Sequence, residues 1–183
     1  MKRLIKNNGF ACLAMIFMII FGTLAGGRGS LAALREEAGI VFSVGARGDG
    51  IGIQSDLNER AAAAYNMVVI ARKYLPEENA LIRNALAERE ALSKAVSVKE
   101  KSRANKALSV AVKDLYDALC NMALSDVDSK YPQALYTEFQ SGADRISHDP
   151  YNVKAAGFNK TLTAFPASVL AALTGIKPLD LFE

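Results

Sequence analysis

The hydrophobic and polar positions divide the chain into two regimes. From Asn7 to Gly27 no residue is charged, and Phe10 to Phe21 reads FACLAMIFMIIF. Apolarity over that length marks a membrane segment, because about 20 apolar residues in a helix span the hydrocarbon. Further on the apolar residues become periodic. Leu57, Ala61, Ala64, Val68 and Ala71 recur at steps of three and four, with Leu75 four further on, the spacing of one helix face. Ser55 is placed to cap that helix, with Asp56 and Glu59 near its positive end. Pro76 suits the first turn of a second helix, beside Glu77 and Glu78, with Leu81, Ala85, Leu92 and Ala95 as its seam.

Ser97 and Glu100 have the capping-box spacing and open a third helix. Its seam is Ala104, Leu108, Ala111, Leu115, Ala118 and Met122, widened by Val112 and Leu119. The polar stretch Ser125 to Tyr131 breaks it. Pro132 restarts the chain, followed by Leu135, Phe139, Ala143 and Ile146. Asp149-Pro150 then kinks or restarts that helix, and Tyr151, Ala155, Phe158, Leu162 and Phe165 continue its core face. A short helix from Pro166 to Thr174 is predicted to end at Gly175. Alternating Val/Ile/Thr runs bounded by turns are absent. The predicted fold class is all-α: an up-and-down antiparallel four-helix bundle preceded by an N-terminal transmembrane helix.

Ser30 to Val44 is compatible with a helix. Gly45, Gly48, Gly50 and Gly52 are not, since each glycine costs a helix about 1 kcal/mol relative to alanine. The expected division is a signal-anchor segment over residues 1–27, a membrane-proximal segment with the glycine-rich loop over 28–53, and a helical-bundle domain over 54–183.

Charge sets the expected topology. Lys2, Arg3 and Lys6 precede the apolar segment, and only Arg28 lies close on its other side. Positive charge stays inside, so a single-pass protein of the cell membrane is expected, with a cytoplasmic N-terminus and an extracytoplasmic C-terminal domain. Its contact with the lipid bilayer runs through residues 9–27. The alternative is a signal peptide cleaved near Ala25, where Thr23 and Ala25 are small, which would release a secreted body. The formal net charge of +3 resides entirely in that N-terminal cluster. Of the 22 Lys and Arg, the 19 that remain are matched by 19 Asp and Glu. A neutral body is not expected to bind nucleic acid.

The sequence offers little chemistry. His148 is the only histidine, and Arg145 stands three residues before it, which excludes the Glu-x-x-His pairs of di-iron bundles. His148 and Cys120 alone cannot build a structural zinc site. No nucleophile elbow and no phosphate-binding glycine loop occurs. Arg47-Gly48-Asp49 matches an adhesion tripeptide and is read as plain loop. Asp49 and Asp56 match no EF-hand spacing. Gly50 to Ser55 leads into a helix N-terminus, but no strand precedes it as in a phosphate site. Cys120 beside its seam is expected to be a buried, inert thiol, and Tyr151, Phe158 and Phe165 to be core. Asn152 and Asn159, seven apart, share a helix face. Their expected role is a buried hydrogen bond that fixes helix register, with partner contact as the rival. No catalytic, cofactor-binding or metal residue is assigned, no cofactor is expected, and the chain is not expected to be an enzyme.

The C-terminal quarter is the most specific. Ala143-Asp-Arg-Ile146, Tyr151-Asn152, Phe158-Asn159 and FPASVLAALTGIKPLDLFE resemble the closing signature of the LemA family of bacterial proteins. That signature has an arginine-isoleucine pair, repeated aromatic-asparagine steps, a phenylalanine-proline and a Gly-hydrophobic-Lys-Pro ending. Asp56-Leu57 and the helix after it resemble the family's first bundle helix, so the resemblance covers about residues 54–183. It implies a helical bundle, anchored outside the cytoplasmic membrane, with no established enzymatic activity. Two features depart from the family: the glycines at 45–52, where the family runs one long helix out of the membrane, and Asp149-Pro150 in the last long helix. The expected function is contact with an envelope protein partner as a scaffold or adaptor. The alternative is a small-ligand-binding or sensing module using an interhelical cleft.

Overall fold

The computed structural model describes residues 8–183. Lys2, Arg3 and Lys6, on which the expected orientation rests, lie outside the described residues. The described chain is helical, with no strand among the described residues. Its helices are α1 (Asn8–Val44), α2 (Ile53–Ala71), α3 (Ala80–Lys94), α4 (Val98–Cys120), α5 (Tyr131–His148), α6 (Tyr151–Thr163) and α7 (Ala167–Thr174), with a 3-10 turn at Asp128–Lys130. They fall into two compact units. One holds the described residues through Gly39 together with Lys154–Leu179, and the other holds Ile40–Val153 with Asp180–Glu183.

The second unit contains the predicted bundle. Helix α2 packs on α5, α3 on α4, and α2 also on α3 and α4, giving the up-and-down antiparallel arrangement. Much of the expected seam is its core: Leu57, Ala64, Val68, Ala85, Leu92, Leu108, Val112, Leu115, Leu119 and Phe139 are buried, while Ala61, Leu81, Ala118 and Ile146 are half-buried. Ile53, Met67 and Ile82 join them. The capping box is present. Ser97 Oγ accepts from the Glu100 N–H at 3.2 Å, and Glu100 Oε2 accepts from the Ser97 N–H at 3.0 Å.

Two helix starts differ from expectation. Helix α2 begins at Ile53 with Gly52 as its cap, and no side chain serves it. A Cβ at Gly52 would lie 2.7 Å from the Val41 and Phe42 carbonyl oxygens, so the entering backbone runs directly against the end of α1. Helix α3 begins at Ala80, not at Pro76. Asn79 Oδ1 accepts from the Leu81 N–H at 2.9 Å, and an asparagine cap outranks an N1 proline that has no cap before it. At Asp149-Pro150 the chain restarts as a new helix, one of the two outcomes expected there. Asp149 adopts extended backbone and its carboxylate accepts from the Tyr151 N–H at 2.8 Å.

The glycine segment is a loop, as its composition requires. Gly45 takes φ +74, and a Cβ there would stand 2.4 Å from the Ile51 carbonyl oxygen. The loop is held by Gly50 N–H to the Val44 carbonyl at 2.9 Å and Ile51 N–H to Asp49 Oδ1 at 3.1 Å.

In the other unit, α1 carries the apolar segment, and Gly26, Gly27 and Gly29 sit within the helix without breaking it. Phe10–Val44 is long and apolar enough to cross a membrane, with mean hydropathy 2.2 over its most apolar window. Leu13, Phe17, Met18 and Phe21 are exposed. Further along, Leu31 and Ala38 form a small core with Phe158 and Leu162, flanked by Leu170, Ala171, Ile176 and Leu179. Gly175, in left-handed backbone at φ 73, ends α7 as expected.

The core assignment predicts a contrast within α4. Leu115→Ala empties a fully buried site and should cost about 2–5 kcal/mol. Val110→Ala on the exposed face of the same helix should stay within about 0.5 kcal/mol. Chemical denaturation of the full chain in detergent measures both, and equal midpoints would mean that the seam is misplaced.

Candidate functional site

The bundle interior holds one charged residue that the apolar periodicity does not announce. Arg60 lies three residues after Leu57 and four before Ala64, on the core face of α2, and is only 1% exposed. Its guanidinium meets two other helices. Nε donates to Asn105 Oδ1 at 2.8 Å and Nη2 to Ser109 Oγ at 2.6 Å, both on α4, while Nη1 donates to the Phe139 carbonyl at 2.8 Å on α5. The group also stacks 3.8 Å above the Phe139 ring, a favourable cation–π geometry. Burial lowers its pKa to about 10, opposed by the Asp56 charge, so it stays protonated at neutral pH.

Asp56, one turn earlier and also buried, is paired with Arg145 of α5, Nε to Oδ1 at 2.5 Å. Arg145 Nη2 also donates to Glu59. Arg145 is the arginine of the Arg-Ile pair in the sequence signature. Gly142 completes this layer: a Cβ there would lie 2.7 Å from Arg60 Cγ. The glycine lets α5 approach the arginine stem.

A second polar cluster closes the end of the bundle. Asp128 accepts from Lys73 Nζ at 2.7 Å and from the Tyr74 hydroxyl at 2.7 Å, which ties the α4–α5 connection to the end of α2. The Lys73 and Tyr74 hydrogen bonds hold its carboxyl below the usual carboxylate range. On the surface, Tyr116 and Tyr136 stack with centroids 4.2 Å apart.

The predicted aromatic-asparagine steps have a different partner from the one expected. In the bundle unit, Asn152 Nδ2 donates to the Phe182 carbonyl at 2.6 Å and its Oδ1 accepts from the Phe182 N–H at 2.8 Å. The Tyr151 hydroxyl donates to the Asp180 carbonyl at 2.7 Å. Ser102 Oγ donates to the Glu183 carbonyl and accepts from the Glu183 N–H. The Phe182 ring is buried beside Phe42, which meets Tyr151 edge-on at 5.2 Å. In the other unit, Asn159 pairs in the same way with both backbone groups of Leu179, each at 2.8 Å. The asparagines therefore hold the non-helical backbone of the C-terminal segment rather than set the register between helices.

Other predicted residues stay apart. His148 is exposed at the end of α5, beside Asp144. Cys120 is exposed rather than buried, because α4 ends there and the seam passes through Leu119 instead. Phe165 is exposed, not core, since α6 has ended two residues before it. Among the described residues no group of three His, Cys, Asp or Glu side chains is placed to hold a metal. Every buried side-chain nitrogen and oxygen among them has a hydrogen-bond partner. A depression of about 370 Å³ beside the glycine loop is lined by Ala46, Arg47, Asp49, Ile51, Asp149 and Pro150.

Two consequences are measurable. Gly142→Ala gains up to about 1 kcal/mol of helix propensity, yet it overpacks a guanidinium stem pinned at three atoms, at about 1–3 kcal/mol. A net loss of stability is expected, and it should disappear in an Arg60→Ala background when both are compared in a denaturation cycle. For Asp128, the folded pKa lies below the unfolded value of about 3.9. Its stabilisation is therefore complete above the unfolded value and is lost as pH falls through the folded one. Asp128→Asn should lower the thermal midpoint at pH 7 and flatten its fall between pH 5 and pH 2; an unchanged acid limb would show that the carboxylate is not coupled to folding.

No curated protein matches the chain. A family model described as the LemA family matches residues 51–183. The matched stretch begins just before α2 and contains the Arg60 layer, Arg145 and both asparagines. It covers well over half of the chain, which therefore belongs to the LemA family.

Proposed function

We propose that the chain is a membrane-anchored scaffold or adaptor of the bacterial cell envelope, whose helical body stands outside the cytoplasm and acts by contact with another envelope protein. The observation that carries this reading is the closed bundle interior. Arg60, Asp56 and Asp128 are each engaged by internal partners, so the convergent polar groups face one another and not a substrate-sized cavity. This favours a packed scaffold over the small-ligand module and over catalysis. The outward orientation is supported by Lys2, Arg3 and Lys6 ahead of the apolar segment.

The contact region we assign is the glycine loop, where Ile51 is exposed beside Arg47. Residues 180–183, apolar at Leu181 and Phe182, are a weaker candidate because Phe182 is buried.

Protease added to intact spheroplasts should digest the body from Ser55 to Glu183, and full protection would overturn the orientation. A photo-crosslinking residue at Ile51 in native membranes should capture a recurring envelope protein, and Arg47→Glu should reduce that yield. Capture of nothing but lipid from Ile51 would remove the loop as the contact. Turnover of a substrate by the purified chain, lost on changing His148, would overturn the non-enzymatic reading.

A further inference from the structure

Helix α7 carries no charge, Ser168 and Thr174 are its polar residues, and none of its residues is fully buried. Its inner side, Ala167, Leu170 and Ala171, packs on the small core of Leu31 and Leu162. Its outer side is a stripe at steps of four: Phe165 just before the helix is 85% exposed, Val169 50% and Leu173 67%. The run from Thr161 to Ile176 contains no charge and is bounded by Lys160 and Lys177. A water-facing helix of a soluble unit carries polar residues on that side.

The place where α7 meets α1 gives the reason. A Cβ at Gly27 would lie 2.7 Å from Leu170 Cδ1, so α7 rests on Gly27 as closely as backbone permits. Gly27 is the last residue of the uncharged stretch, and Arg28 follows. From Phe10 to Gly27 an α-helix rises about 26 Å, against about 30 Å of hydrocarbon. With α1 as the span, Leu170 falls at the level where hydrocarbon gives way to headgroups. The chain then climbs α1 away from the span: Arg35 Nε donates to the Lys177 carbonyl at 3.0 Å, and Leu179 lies against Gly39. Charges return where the chain leaves the boundary.

We propose that α7 with Phe165 is a second membrane contact, lying in the interfacial layer of the leaflet at the Gly27 end of the span, with Phe165, Val169 and Leu173 immersed and Lys160 and Lys177 reaching toward the headgroups. The occupant of the stripe is lipid. A protein interface of this size carries a polar rim, whereas an uncharged run closed by two lysines matches an interfacial segment. The inference rests on the reading of α1 as a membrane anchor.

The chain contains no tryptophan, so introduced ones report singly. Full-length Phe165→Trp, Leu173→Trp, Phe17→Trp and Val110→Trp variants are reconstituted into phosphatidylcholine vesicles whose acyl chains are brominated near the headgroup or deep in the bilayer. Two exposed positions of the stripe, Phe165 before α7 and Leu173 within it, are used so that one misfolded variant leaves the other to decide, with helicity checked by circular dichroism. The expected result is severalfold quenching at positions 17, 165 and 173 relative to 110, with 165 and 173 quenched most by the shallow bromines. Quenching at 17 with 165 and 173 as bright as 110 overturns the α7 proposal and leaves the anchor standing. No quenching at 17 overturns the anchor, and the α7 proposal with it.

Discussion

The bundle depends on one buried cation. Arg60 enters the interior from α2, and its guanidinium contacts two neighbouring helices at once, α4 through Asn105 and Ser109 and α5 through the Phe139 carbonyl and ring. An arginine taken out of water is costly unless each of its guanidinium nitrogens finds a partner. The planar fork meets that demand only if α4 and α5 stand at fixed depth and rotation. Hydrophobic seams tolerate small sliding, but a buried fork with three defined acceptors does not. The glycine at 142 follows from the same constraint, because the arginine stem occupies the volume a side chain would need. Asp56, one turn away and itself paired to Arg145, supplies the nearby negative charge without competing for the guanidinium.

Much of this was legible in the sequence, for identifiable reasons. Helices with regular apolar steps, such as the Ala104–Leu119 face, report burial directly, and Leu108, Val112, Leu115 and Leu119 are buried. The Ser97–Glu100 box was legible because both halves of the motif are local. The starts of α2 and α3 were not. At Gly52 the decisive factor is close approach to the carbonyls of Val41 and Phe42, a tertiary contact; at Asn79 a stronger cap lay three residues beyond a conspicuous proline.

The candidate site was legible in a different way. Arg60 was visible as a charge on an apolar stripe, and that conflict between residue type and position is the signal that could have found it. Asn152 and Asn159 stood out by spacing, but helical periodicity describes only the helix that carries them, and what they bind is non-helical backbone elsewhere in the sequence. Cys120 and Phe165 were misplaced because each lies at or just past a helix end, where a periodic stripe no longer predicts which way a side chain points.

The grip on residues 180–183 is directed almost wholly at main chain. Tyr151, Asn152 and Ser102 bind carbonyl and amide groups that any residue supplies, and only Phe182 adds a buried side chain. Sequence drift at Asp180, Leu181 and Glu183 therefore leaves the grip nearly untouched. Chemical ageing does not. An amide presents a donor and an acceptor side by side, and deamidation of Asn152 would replace the donor with a second acceptor oxygen. That oxygen would face the Phe182 carbonyl, so a hydrogen bond would become a repulsion, and the change of a single functional group would loosen the point at which this segment is fastened.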